Sequence, residues 1–468
     1  MRRIVVAAVW ALRAAPAVAA QTPADTLRLT LDAAVRRALD EGTAMRLARA
    51  DVIDANGQVR EALSGALPLV TGSVLYTRQF ASIYQGLGGS GSNSLGNLFQ
   101  NTPFGAPNTW NLQLQATQVL WEGGKVGAGL AAARSVRQIA TLNQSETAAD
   151  VTYQVKQSYW NAVLQGRLLV IAAENLEQAR RQLRQVQLFR QAGTRAEYDL
   201  LRAEVDAANQ EPAVVQARNG YDLAELDLKR LLNVPAEQRL ALETKLESPD
   251  ATIPVLATDS LSGPNRPALA AAELTVTEQQ ELLQVARADR WPTLRVTTTY
   301  NEEVFPQTVF PGSGDVFRRG WNGEVKLSFP IFDGFKTAGS VDQARAALLR
   351  AQAQRDRQRR QVELDVAQAT AEMARTRALL VARRETVRQG QRAQYLAGVR
   401  YANGMATQLD VSDARLAAQQ AQVNEVQATR DYFVALAQLE RALGRPVPLV
   451  QRPIEHVAQA LNAKEAQP

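Results

Sequence analysis

The chain contains no cysteine, and its single histidine, His456, stands in the C-terminal tail. A disulfide framework, a thiolate metal site and any Ser-His or Cys-His nucleophilic triad therefore lack their parts. Aromatic residues make up only 6% of the 468 residues, against 46% hydrophobic in all. Alanine, leucine, valine, glutamine and arginine dominate instead, a composition that suits long helices packed through small side chains better than a compact enzyme core. No segment approaches 18 apolar residues without a charge, so no transmembrane helix is expected. A strong excess of one charge is missing too. The net +6 is spread over 53 basic and 47 acidic side chains, and a nucleic-acid binder would need that excess on one face. The densest basic run, Arg355, Arg357, Arg359 and Arg360, sits in a helical pattern beside Asp356 and Glu363 and reads as a solvated helix face. No catalytic residue, cofactor site, metal site or nucleic-acid partner is assigned.

Among the features present, the N-terminus comes first. Arg2 and Arg3, the apolar run Ile4 to Leu12 and the small-residue site Ala17-Val18-Ala19 have the layout of an export signal, assigned to residues 1–20. The N-terminus carries no cysteine for lipid attachment.

The rest of the chain contains itself twice. Leu120-Trp121-Glu122-Gly123-Gly124-Lys125 resembles Ile331-Phe332-Asp333-Gly334-Phe335-Lys336. Ala192-Gly193-Thr194 resembles Asn403-Gly404-Met405, and Leu232-Asn233-Val234-Pro235 resembles Leu443-Gly444-Arg445-Pro446. Each pair is 211 positions apart (331 minus 120, 403 minus 192, 443 minus 232). A repeat of this length constrains the whole fold. Leu67-Pro68 and Trp291-Pro292 correspond at an offset of 224, so the first copy holds 13 extra residues (224 minus 211), placed in the Gly/Ser/Asn-rich loop of Gln85 to Asn108. The repeats are expected at residues 21–234 and 267–445, joined by a proline-rich linker at 235–266 and followed by a tail at 446–468.

Each copy reads as helix, β-hairpin, long helix, helix. In the first, strands are expected at about 68–80 and 109–121. Trp110, Leu112, Leu114 and Ala116 alternate with Asn111, Gln113, Gln115 and Thr117. In the second they fall at about 292–303 and 320–331, where Leu294, Val296 and Tyr300 oppose Arg295, Thr297, Thr299 and Asn301. Trp321, Val325, Leu327 and Phe329 likewise oppose Asn322, Glu324, Lys326 and Ser328. Runs of roughly ten residues, with Trp110, Tyr300 and Trp321 near their ends, fit tilted membrane strands with interfacial aromatic girdles. Four strands cannot close a barrel, since the smallest need about eight, and an open edge in lipid leaves backbone groups unpaired. The chain must therefore oligomerise.

Long helices follow at about 126–191 and 338–403, free of proline. At 1.5 Å per residue each is on the order of 100 Å long. Gly193 and Gly404 end them, and returning helices run at about 196–232 and 407–443, the first broken or kinked near Pro212. Shorter helices at about 47–66 and 268–290 precede the strands. Leu409, Leu416 and Val423 recur every seven residues, as do Val426 and Phe433, and Leu436 and Leu443, as in a coiled coil, and are read as packing. The neighbouring acids Glu302 and Glu303 are placed in a loop and Asp410 and Asp413 at a turn, with no convergent pocket between them.

Residues Leu31 to Pro446 resemble the TolC-like outer membrane factor family. The duplication, the strand pairs between helices and the spacings Gly193 to Asp199 and Gly404 to Asp410 carry the likeness. The resemblance implies a mainly α protein with a membrane β-barrel part: a homotrimer with a 12-stranded barrel continuing into a 12-helix periplasmic α-barrel. It further implies a passive exit duct in the cell outer membrane, extending into the periplasm, for a tripartite efflux or type I secretion system. The partners implied are a periplasmic adaptor, an inner-membrane pump reached through it, and outer-membrane lipid. In the family an aspartate pair after the second turn narrows the pore, which falls here on Asp410 and Asp413. Tyr401 and Asp199 match positions that brace the closed turn, and Gly193, Thr194, Gly404 and Met405 fall at the tips that meet the adaptor. Asp410 and Asp413 also suit a plainer role, as helix-start charges that cap free N–H groups. A periplasmic coiled-coil adaptor or scaffold without a barrel is the alternative on the residues alone.

Overall fold

The structure is a computed structural model of the chain and describes residues 26–81, 106–193, 196–244, 246, 255–256, 266–447 and 449–450. The export signal, most of the Gly/Ser/Asn-rich loop, much of the linker and tail, and Thr194 lie outside the described residues. In order, the elements are β1 (Leu27–Leu29), α1 (Leu31–Glu41), α2 (Thr43–Ser64), β2 (Leu69–Arg78), β3 (Asn108–Glu122), α3 (Lys125–Gln191), α4 (Glu197–Leu231), β4 (Leu240–Leu242) and β5 (Val255–Leu256). There follow α5 (Pro267–Ala288), β6 (Thr293–Val304), β7 (Arg318–Ser328), α6 (Lys336–Ala402), α7 (Gln408–Leu443) and β8 (Leu449–Val450). The order helix, hairpin, long helix, helix thus occurs twice. α3 and α6 are 67 residues each, about 100 Å at the α-helical rise. The chain divides into two units. One comprises Ala44–Val151, Pro254–Ala374 and Gln438–Pro468; the other comprises Met1–Thr43, Thr152–Ile253 and Arg375–Ala437.

The first unit carries a four-stranded antiparallel sheet in the order β2-β3-β6-β7. Its centre is the pairing of β3 with β6, one strand from each repeat. The register aligns Val74, Leu112, Glu302 and Arg319 in one row and Leu114, Tyr300 and Trp321 in another. Because side chains alternate across a strand, this register collects Val70, Val74, Tyr76, Trp110, Leu112, Leu114, Val296, Trp321, Val325 and Leu327 on one face. Thr71, Ser73, Gln113, Gln115, Thr297, Thr299, Asn322, Glu324 and Lys326 occupy the other.

Strict alternation would set Trp121, eleven residues after Trp110, on the polar face. A β-bulge prevents this: Val119 pairs with Arg295 and Trp121 with Leu294, skipping Leu120. The extra residue returns Trp121 to the apolar face, where its ring meets Trp291 edge-on at 6.3 Å. At the other end Trp110 packs on Tyr76 at 4.9 Å and on Phe310 at 5.9 Å, and its indole N–H donates to the Val309 carbonyl. Aromatics therefore mark both ends of the apolar face. Glu302 and Glu303 are strand residues of β6 rather than loop residues. They point to opposite faces, Glu302 to Arg319 at 3.0 Å and Glu303 to Asn111 at 2.6 Å, so they do not converge. Among the described residues, β2 and β7, of 10 and 11 residues, each have a partner on one side alone.

The helices of this unit pack through small residues. α5 buries Ala271, Val276, Leu283, Ala286 and Ala288, and Leu283 and Ala286 join Val341, Ala344 and Leu348 of α6. Pro267 opens α5 with the fixed φ that a first helical turn accepts. Before it, the Arg266 guanidinium bonds Asp365 of α6 at 2.7 Å and also Glu146 of α3. Glu146 accepts in addition from the Ala268 amide of α5 at 3.4 Å. Arg441 of α7 pairs with Asp150 of α3 at 2.5 Å. The linker and tail meet as β5 and β8, an antiparallel pair of two residues each.

In the second unit β1 and β4 pair in parallel. Tyr159 of α3, fully buried, ties this pair to the helices: its hydroxyl donates to the Leu29 carbonyl at 3.0 Å and lies 2.9 Å from the Thr244 hydroxyl. Trp160 stacks on Phe433 of α7 with centroids 4.3 Å apart and planes at 11°. Along α7 the buried stripe is Gln408, Ser412, Arg415, Ala418, Ala421, Ala428 and Tyr432. Leu409 and Leu416 are 43% and 48% exposed. Of the heptad residues read from the sequence as packing, Leu409 and Leu416 thus lie beside this stripe, whereas Phe433 stacks on Trp160 and Leu443 is buried. α4 passes unbroken through Pro212, which is exposed. The expected break is absent there: the helix absorbs the missing N–H, one hydrogen bond, without ending.

Candidate pore gate at the helical turns

The two helical turns belong to the second unit and open alike. At the end of α6 the Gly404 amide donates to the Tyr401 carbonyl at 3.0 Å and the Met405 amide to the Arg400 carbonyl at 2.8 Å. This is the Schellman arrangement, which needs a left-handed residue just past the helix cap. Gly404 supplies it at φ +74°. Gly193, at φ +73°, opens the first turn with the equivalent bond to the Arg190 carbonyl at 2.9 Å.

Beyond the turns the copies diverge. α7 begins with a capping box. The Asp410 amide donates to the Thr407 hydroxyl at 3.2 Å, while the Thr407 amide and hydroxyl donate to Asp410 Oδ2 at 2.7 and 2.8 Å. Two otherwise orphaned donors are satisfied reciprocally. Those bonds, the backbone one foremost, hold the Asp410 carboxyl below its ordinary range, with Arg400 adding a smaller attraction. A depressed carboxylate contributes stability above its unfolded-state pKa of about 3.9 and loses it as the pH falls through the folded value. Asp410 is therefore a fixed anion at neutral pH. α4 instead has Ala196 at its N-cap, with no side-chain cap, and relies on Glu197 and Asp199 in its first turn to oppose the helix dipole.

Asp410 and Asp413 are both exposed. Three residues apart, they share a side of α7. Ser412 and Arg415 share the opposite side, and both are buried. Ser412 donates to Asp206 of α4 at 2.8 Å and Arg415 stands 3.6 Å from the same carboxylate. Gln182 of α3 donates to Gln408 at 3.0 Å. Packing of the Ser412/Arg415 side against α4 is thus what turns the two acids outward. Asp206, Ser412 and Arg415 were not identified from sequence. Their only advance signal is the i, i+3 spacing of Ser412 and Arg415 opposite the acids. Tyr401 is buried at the end of α6, Asp199 half-buried in α4, and Met405 exposed at the second tip. Thr194 lies outside the described residues.

With the fold and these turns in hand, the chain can be compared with known proteins. It matches the family described as Outer membrane efflux protein over residues 34–234 and 261–445, most of its length and both repeats. The chain belongs to this family. Among curated relatives, the Cobalt-zinc-cadmium resistance protein CzcC of Cupriavidus metallidurans is 23% identical over 325 residues, covering 69% of this chain and 74% of that one. The CmeC outer membrane channel of Campylobacter jejuni superposes with a TM-score of 0.74 at 18% identity, covering 92% of this chain and 88% of that one. The MtrE outer membrane channel of Neisseria gonorrhoeae, solved in its open state, gives 0.73 at 21% identity, with 89% of each covered. As an outer membrane efflux protein the chain is a TolC-like exit duct of the outer membrane that extends into the periplasm, and its work is transport.

Proposed function

We propose that three copies of the chain join to form the exit duct of a tripartite efflux or type I secretion system. Twelve strands close one barrel in the outer membrane, and twelve helices continue it through the periplasm. The observation that carries this reading is the sheet, with ten- and eleven-residue edges at β2 and β7 and a broad apolar face. A single sheet so exposed leaves its edge N–H and C=O groups without partners in lipid, where each costs several kcal/mol. Pairing β7 of one copy with β2 of the next removes every edge. Absence of cysteine makes the test direct, since one cysteine on each edge strand has no competitor. Oxidation should give a ladder on denaturing gels that stops at three chains. A ladder stopping at two or running past three would overturn the trimer.

The turns carry the rest of the proposal. Asp410 and Asp413, repeated around a threefold axis, become stacked acidic rings that narrow the periplasmic mouth, and rings of carboxylates favour cations. Tyr401 and Asp199 brace the closed turns, and Gly193, Thr194, Gly404 and Met405 form the tips offered to the periplasmic adaptor and, through it, to the inner-membrane pump. Asp413→Ala should raise single-channel conductance several-fold and weaken block by multivalent cations. Asp410→Asn, which retains a capping side chain, should change conductance less, because the Asp410 carboxylate is already engaged by Thr407. Conductance and block unchanged in Asp413→Ala would remove the gate assignment. A scaffold without a barrel is disfavoured by the apolar sheet face and its aromatic ends.

A further inference from the structure

Where β7 gives way to α6, Phe329, Ile331, Phe332 and Phe335 are 59%, 89%, 77% and 76% exposed. Single exposed apolar residues are ordinary, but four large ones within seven positions form a patch that calls for a partner. Phe335 is the most unusual of them. Its φ is +69°, a left-handed conformation that is a true outlier for a bulky side chain. In the first repeat the same turn is made by Gly123 and Gly124, at φ +57° and +83°; in the second it is made by Gly334, at +66°, and Phe335. Both turns thus require two left-handed residues, and glycine meets that need without strain. The Phe335 ring touches the Phe332 ring edge-on at 5.8 Å, and Phe332 is itself exposed. Burial within the chain therefore does not offset the strain, and backbone strain held at an exposed position points to a role outside the chain.

We infer that Phe329, Ile331, Phe332 and Phe335 form an apolar wedge that sinks into the inner leaflet of the outer membrane and seats the junction of strand and helix at its surface. This rests on the membrane-barrel reading above. Lipid, rather than a second copy of the chain, is the occupant because the aromatic row is not confined to the β7 edge. Phe329 stands directly after β7, two residues beyond Leu327 of the apolar face. Trp121 and Trp291 carry the row to the same ends of β3 and β6, in the middle of the sheet, where a neighbouring copy does not reach. Lys336, which follows the wedge, has the long cationic side chain that suits phosphate headgroups beside a buried stem.

The absence of cysteine from the chain allows a clean test. Single cysteines at positions 332 and 335 (Phe332→Cys, Phe335→Cys), at 325 on the apolar face (Val325→Cys) and at 322 on the polar face (Asn322→Cys) are labelled with a nitroxide. The proteins are then placed in phosphatidylethanolamine/phosphatidylglycerol vesicles. Collision with oxygen reports lipid, and collision with a water-soluble nickel chelate reports water. Labels at 325, 332 and 335 should favour oxygen, with 332 and 335 nearer the headgroups, and the label at 322 should favour nickel. Nickel access at 335 with oxygen access at 325 would overturn the wedge and leave the barrel standing. Nickel access at 325 would overturn both. A label at 335 shielded from both reagents would mean that a neighbouring copy covers it, which also defeats the lipid assignment. As a second measurement, Phe335→Gly should raise the melting temperature in detergent by relieving strain, while insertion into vesicles slows several-fold. Insertion at the unaltered rate would overturn the anchoring role.

Discussion

Arg266→Ala is expected to destabilise the sheet-bearing unit by about 3–5 kcal/mol, the usual result of breaking a buried ion pair by removing one partner. The Arg266 side chain is 7% exposed and serves two carboxylates from two different helices, Glu146 at 17% and Asp365 at 32%. Without it those carboxylates face each other without the Arg266 cation between them, and among the described residues Glu146 retains the 3.4 Å contact with the Ala268 amide. The start of α5 then loses its strongest polar tie to α3 and α6. Arg266→Lys keeps the charge but loses the two-pronged fork, so it should recover part of the loss and not all of it. A triple variant, Arg266→Met with Glu146→Gln and Asp365→Asn, should recover most of it, because no charge is then left buried. Urea titration in detergent, followed by far-UV circular dichroism, measures the series. A loss below about 1 kcal/mol for Arg266→Ala would place the cluster with surface ion pairs, which contribute about that much or less.

The same cluster shows what was legible in advance. Its members are more than 90 residues apart in the chain and carry no local pattern, so no periodicity could reveal them. Asp206 is likewise more than 200 residues from Ser412 and Arg415 at the second helical turn, so their spacing on α7 could not reveal the partner. Features that repeat at a fixed offset were readable. Gly193 and Gly404 adopt nearly the same left-handed φ, and a helix end of that kind has few other ways to be made. Strand alternation was readable too, up to the point where pairing overrides it. Trp110 and Trp121 differ by an odd number of residues, and only the register with β6 shows that the skipped Leu120 puts them on one face. The heptads of α7 hold at Phe433 and Leu443, which are packed, and mislead at Leu409 and Leu416, which lie beside the buried stripe. A heptad shows that a face is apolar, not what covers it. At the gate, Asp410 and Asp413 were named through family resemblance, with helix capping as the plainer explanation. Asp410 is indeed engaged in a capping box, and its pore role stands as a proposal alongside that fact.

Gly123→Ala should be among the most damaging single substitutions in the chain, and its two neighbours in kind show why. Gly123 holds φ +57°, which alone costs an L-residue about 1–2 kcal/mol. A Cβ added there would also lie 2.7 Å from the Trp291 Cβ and 2.9 Å from the Ala288 carbonyl oxygen. Neither atom is the end of a flexible side chain. One roots the indole that packs against Trp121, and the other accepts the Trp291 amide at 2.9 Å as the chain leaves α5 for β6. Relief of the clash must move the start of β6, and β6 holds the two repeats together through its register with β3. Gly124 and Gly334, at φ +83° and +66°, would place a Cβ in open space. Alanine at either should cost the backbone strain alone, whereas Gly123→Ala adds overpacking of about 1–3 kcal/mol and should lose much of its yield of membrane-inserted protein. Comparing the three by melting temperature and by the fraction recovered from membranes separates the two causes. Equal losses at 123, 124 and 334 would mean that Trp291 and Ala288 yield without resistance and that conformation alone selects glycine. A loss confined to 123 would locate the rigid contact of the strand-to-helix junction at Trp291, on the same side of the sheet as the aromatic row that reaches Phe335.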